Sequence, residues 1–115
     1  GYENQFVNAK LKYLSKGQLK KIHFINGDSK EEIPKLQGLY MFDAILLDSA
    51  NDPILILDEC KAVLPLLNRP AVIIIDDVNG AGIKGDLAIS FLQEMGYKCE
   101  YFIAPPNDGC YFIIR

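Results

Sequence analysis

The run AVIIIDDVN, residues 71–79, decides the fold. Five apolar residues, mostly β-branched, stop abruptly at Asp76 and Asp77, the pattern of a strand buried on both faces that ends in a polar site. The stretch FDAILLDSAND, residues 42–52, repeats the design, with an apolar run that stops at Asp48. Ligands of open α/β sheets bind outside the carboxyl ends of the strands. If these two strands are parallel neighbours, three carboxylates reach the same sheet edge.

Working outward, the Gly-rich turn NGAGIKG (79–85) leads to a helix expected over 86–95 and ended by Gly96. Residues 97–104 and 110–115 are β-rich and flank Pro105-Pro106-Asn107-Asp108-Gly109, a hairpin signal that makes the last strand antiparallel to its predecessor. Upstream, a loop over 49–52 precedes a helix begun by Pro53, which carries ILILDECKAVLPLL, is disturbed near Pro65 and breaks at Asn68-Arg69-Pro70. KIHFIN (21–26) reads as a short strand that turns through Gly27-Asp28-Ser29 into a helix over 30–36. Asp28 or Ser29 can cap that helix, with Glu31 and Glu32 in its first turn. An opening helix over 3–15 is marked by Phe6, Val7, Leu11 and Leu14. Its lysines read as a solvated face, because no stacking aromatics are interleaved with them, and His23 reads as structural. Strand and helix alternate three times before the closing hairpin. The expected fold is α/β: one domain, 1–115, with a Rossmann-like, mostly parallel sheet, helices on both faces and a C-terminal antiparallel hairpin.

Composition narrows the function. Half of the 115 residues are hydrophobic and 23% are charged, ordinary for a soluble globular chain, and the net charge of -3 gives no reason to expect a polyanionic partner. The apolar runs stay at strand length, and GYENQFVNAK lacks the apolar segment of a signal peptide. Cys60, Cys99 and Cys110 are odd in number and widely spaced, with a single His in the chain. They read as reduced core residues of a cytoplasmic protein, without membrane attachment.

Several motifs compete for the acidic edge. Gly80, Gly82 and Gly85 satisfy G-x-G-x-x-G, with Glu100 20 residues beyond Gly80, but two carboxylates just before the glycines would repel a pyrophosphate. No Gly-Lys-Ser/Thr completes a P-loop, so Asp76-Asp77 makes a weak triphosphatase site. Asp48 is similar to the phospho-acceptor of receiver domains, yet here the acidic pair follows the acceptor and does not precede it. Any one of these acids alone is explained as a turn or cap residue. Two strand ends together, with Asp28 at a third, favour a site.

The order IHFINGDSKEEIPKL, MFDAILLDSAND, CKAVLPLLNRPAVIIIDDVNGAG, FLQEMGYKCEYF resembles the second half of a class I S-adenosylmethionine-dependent methyltransferase, nearest the caffeoyl-CoA, catechol and macrocin O-methyltransferase group, over about residues 20–104. The resemblance implies that Asp28 accepts a hydrogen bond from the adenine amino group, with Ser29 beside the ring and Gly27 in the same cofactor-binding turn. It further implies that Asp48 lies near the methionine part of the cofactor and is the catalytic residue of the edge, and that Asp48, Asp76 and Asp77 hold Mg²⁺ or Ca²⁺, whose hard character suits carboxylates. The implied reaction is O-methylation of a small molecule.

Departures from the family pattern are equally specific. The family's first strand, its glycine-rich loop and the acid that binds the ribose are missing, which implies an incomplete methyltransferase fold and a longer parent protein. Unless residues 21–26 pair directly with 42–48, or a second copy fills the gap in a homo-oligomer, backbone edges stay unpaired. Asn51 stands where catechol-type enzymes carry a lysine base, and Arg69-Pro70-Ala71 replaces Pro-Gly-Gly. The Asn-Pro-Pro-Tyr motif of nucleic-acid amino-methylating enzymes is absent from the Asp48 loop, which disfavours a nucleic-acid substrate. Two other function classes stay open: a non-catalytic interaction module of the same fold, and a receiver-like domain phosphorylated at Asp48.

Overall fold

The computed structural model describes residues 15, 17, 22–23, 25–49, 51–76, 78, 84–104 and 107–115. The helix expected over 3–15, apart from Ser15, lies outside them, as do Asp77, Gly80 and Gly82.

The first helix, α1 (Ser29–Glu32), is capped by Asp28, whose side chain accepts from the Lys30 backbone N–H at 2.9 Å. The expected seven-residue helix stops short because Pro34 has no N–H to donate, and the chain tightens into a 3₁₀ turn, Pro34–Leu36. Strand β1 (Phe42–Leu47) follows. Helix α2 (Pro53–Val63) opens on Asp52, which accepts from the N–H groups of Ile54 (3.1 Å) and Leu55 (3.3 Å), with Pro53 in the first turn. Pro65 then converts its end into the 3₁₀ turn Leu64–Leu66.

Strand β2 (Leu67–Asp76) begins earlier than the Asn68-Arg69-Pro70 signal allowed. That triplet forms a bulge inside the strand: Phe42 pairs with Leu67 and Ala44 with Val72, so an advance of two residues along β1 matches five along β2. Side chains bracket the bulge, which contains a cis Arg69–Pro70 peptide. Asn68 donates to Asp43 at 2.9 Å, and the Arg69 guanidinium donates to Tyr97 Oη at 2.7 Å and to the Arg115 carbonyl at 2.9 Å.

Helix α3 (Asp86–Glu94) ends as expected at Gly96, whose φ of 97° is left-handed and lets the Tyr97 N–H return to the Leu92 carbonyl at 3.1 Å. Strands β3 (Glu100–Ala104) and β4 (Asn107–Ile114) complete the sheet in the order β1-β2-β4-β3. β1 and β2 are parallel, and β4 is antiparallel to both β2 and β3. The hairpin is tighter than expected, because Asn107, Asp108 and Gly109 already belong to β4 and pair with Ala104, Ile103 and Phe102.

One expectation is corrected. Ile22, His23, Ile25 and Asn26 carry no strand and are not part of the four-stranded sheet, and a strand outside a sheet is not stable in water. Burial is also one-sided. Ala71, Ile73 and Ile75 of β2 and Cys110, Phe112 and Ile114 of β4 form one core with Ile56 and Cys60 of α2 and Ala88, Ile89 and Leu92 of α3. Val72 and Ile74 on the other face are only half-buried, and Leu46 is exposed. Among the described residues the core shared with α2 and α3 thus lies against one face of the sheet. No helix among them is long and apolar enough to cross a membrane.

Candidate functional site

Leu47 pairs with Ile75 in the parallel ladder, so the next residues, Asp48 and Asp76, emerge side by side at the carboxyl edge of β1 and β2. The condition that joined the two acidic strand ends is therefore met for Asp48 and Asp76.

A residue that sequence reasoning passed over completes this edge. Lys84 Nζ lies 2.7 Å from Asp48 Oδ1, with the lysine side chain 5% exposed and the aspartate 49%. Its placement follows from Gly85, the cap residue of α3: a Cβ there would sit 2.8 Å from Ile75 Cγ2, so only glycine lets the start of α3 press against the end of β2. That close helix–strand approach explains the last glycine of G-x-G-x-x-G without any dinucleotide.

Beside Asp48, Ser49 Oγ donates to Glu59 Oε1 at 2.6 Å, and Glu59 is buried. Glu59 also went unnoticed in the sequence, although it stands three residues after Ile56 and four before Val63, on the buried face of α2. Both residues border a groove of about 380 Å³ whose apolar walls include Leu36, Phe42, Ile45 and Val63, and whose polar end is Asp48, Ser49 and Glu59. The Gly27-Asp28-Ser29 turn heads the segment that supplies Ile33 and Leu36 to this groove. It is held beside α2 by the Lys30–Asp58 ion pair at 3.5 Å. His23 lies apart, edge-on to Tyr40 with ring centroids 6.4 Å apart.

The described part of the donor set expected for a divalent cation, Asp48 and Asp76, does not fit one by itself. Among the described residues no group of three His, Cys, Asp or Glu could hold a metal ion, and Asp77 lies outside them. Asp48 Oδ1 is already engaged by an ammonium group. An ion on the same carboxylate, 4 Å from that ammonium, meets a repulsion of about 4 kcal/mol per unit of its charge at an effective dielectric of 20, before solvent screening at the half-exposed Asp48.

The cysteines are free and take no part in the edge. Burial pushes the Cys60 thiol up to about 11 against a small opposing effect of Lys61, and burial and the neighbouring Cys99 hold the Cys110 thiol well above the usual range.

No family model and no curated protein matches the chain. Solved structures do. The apo structure of CalS11, a TDP-rhamnose 3'-O-methyltransferase of calicheamicin biosynthesis, superposes with a TM-score of 0.61 at 14% identity, covering 77% of this chain and 39% of its own. A Staphylococcus aureus protein assigned as a caffeoyl-CoA O-methyltransferase superposes with a TM-score of 0.61 at 15% identity, covering 96% of this chain and 57% of its own. The fold is methyltransferase-like. The chain spans between two fifths and three fifths of these methyltransferase chains, and its four strands and their helices match a partial methyltransferase fold.

Proposed function

We propose that this chain is part of an S-adenosylmethionine-dependent methyltransferase that acts on an oxygen of a small molecule, with no membrane or nucleic-acid partner. The observation that carries the reading is the parallel pairing of β1 and β2, which sets Asp48 and Asp76 at one sheet edge beside the groove, in a fold shared with O-methyltransferases.

The donor chemistry suits the cofactor. Asp28 is exposed and its carboxylate can accept from an adenine amino group while Oδ1 caps α1, with Gly27 and Ser29 flanking it in the same turn. When bound, S-adenosylmethionine supplies an electrophilic methyl group. The chain's own residues supply position. Asp48 is fixed on its inner side by Lys84, and its outer, solvated side can accept the proton of an acceptor hydroxyl and hold that oxygen in line. The apolar groove walls take up the acceptor's carbon skeleton and exclude water.

Calorimetric titration of the full natural protein with S-adenosylmethionine tests this. Saturable binding is expected, weakened at least tenfold, or about 1.4 kcal/mol, by Asp28→Ala. A folded protein with no saturable binding overturns the reading.

A further inference from the structure

We propose that the Lys84 ammonium is the resident cation of this sheet edge, holding Asp48 where the family resemblance puts a divalent metal ion, so that methyl transfer at this edge proceeds without one. The inference rests on the assignment of the edge to methyl transfer, and concerns what charge the site contains. Lys84 is a positioning residue that acts through Asp48.

Three observations carry it. The ammonium approaches Asp48 Oδ1 to 2.7 Å, shorter than ion pairs held only by surface attraction, such as Lys30–Asp58 at 3.5 Å. Burial is asymmetric: the lysine is 5% exposed and the aspartate 49%, so the positive charge is presented from inside the protein while the outer side of the carboxylate stays open to an acceptor. The lysine is also built in by packing: a Cβ at Gly85 would lie 2.8 Å from Ile75 Cγ2, so the bare glycine lets the start of α3 seat against β2 directly after the lysine. A metal ion that took Asp48 would leave a buried ammonium without its counter-charge, on top of the direct repulsion. The pair thus resists exchange for a metal from both sides. An ammonium can perform the metal's orienting task on the carboxylate, and it compensates the negative charge of an edge to which Asp76 also contributes.

The full natural protein, labelled with ¹⁵N-lysine, reports the pair through the side-chain NH₃⁺ resonances, which survive only where exchange with water is slow. The Lys84 signal is assigned by its loss in Lys84→Arg, or, if that variant does not fold, by its change in Asp48→Asn. The expected result is a protected Lys84 signal that keeps its position through a titration to 10 mM Mg²⁺ and after treatment with EDTA. A saturable Mg²⁺-induced shift that Asp48→Asn removes would overturn the proposal, as would the absence of any protected Lys84 signal. S-adenosylmethionine is absent throughout, so either outcome is independent of the cofactor titration, which tests the methyltransferase reading by itself.

Discussion

Gly85→Ala is the substitution that probes the architecture of the acidic edge most directly. The new Cβ would lie 2.8 Å from Ile75 Cγ2, 3.5 Å from Ile89 Cδ1 and 3.6 Å from Val78 Cγ1. The last two are ordinary contacts; the first is well inside the 3.5–4.0 Å optimum for carbon atoms. Ile75 is fully buried, so its branched methyl can withdraw only by displacing other core groups. Overpacking of this kind costs about 1–3 kcal/mol. The φ of -88° at Gly85 is open to alanine, so the loss of unfolded-chain freedom returns about 0.4–1 kcal/mol. The net expectation is a loss of about 1–2 kcal/mol, read in urea as a midpoint lowered by about 0.5–1 M at a slope of about 2 kcal/mol/M. Ile75→Leu moves the branch away from Cβ, so the double variant should recover at least about 0.5 kcal/mol relative to additivity. A neutral or stabilised Gly85→Ala, or strict additivity in the double variant, would refute the contact.

Ser49→Ala should lower stability by about 1–3 kcal/mol, because it leaves the buried Glu59 carboxylate without its 2.6 Å donor; Ser49→Thr should recover most of this in the same urea assay. Asp52→Ala removes the acceptor for two N–H groups of α2 and should cost about 1 kcal/mol, with Asp52→Asn close to neutral. Cys60 has an ordinary value of 9.0 that burial raises to about 11, so the folded chain retains a proton that the unfolded chain releases between those values. Stability should be unaffected by this group below pH 9 and fall as pH rises from 9 to 11, and Cys60→Ala should flatten that slope. A slope unchanged by the substitution would assign the effect elsewhere.

Features encoded locally were legible in the sequence. Asp52-Pro53 is a start signal and Gly96 a stop signal whatever surrounds them, and both act as such. Features that depend on a distant partner were not. Pro70 reads as a breaker, yet it is accommodated because a bulge keeps it out of the β1 ladder, and the bulge is stabilised by Asp43, Tyr97 and Arg115, all remote in sequence. KIHFIN has the composition of a strand, but its described residues join none of the four strands of the sheet. The uniformly apolar 71–75 run cannot reveal that one of its faces is buried more deeply than the other. At the candidate site, the strand ends pointed to Asp48 and Asp76, since a carboxylate after an apolar run is visible by itself. Lys84 is 36 residues from Asp48, and only the approach of α3 to β2 brings them together. Glu59 lay within reach, since its helical spacing from Ile56 and Val63 already placed an acid on an apolar face.

The later strand of the hairpin occupies the interior of the four-stranded sheet: β4 lies between β2 and β3, which share no hydrogen bonds with each other. During synthesis β2 can pair with β1 through a short crossover, but β3 has no place to dock until Asn107–Ile114 has been delivered, and the core residues Cys110, Phe112 and Ile114 arrive with it. Assembly is therefore governed by a late, non-local closure, the kind that is slow and leaves apolar strands uncovered in the meantime. A cut ahead of Asn107 would not trim this sheet at its margin. It would part it down the middle.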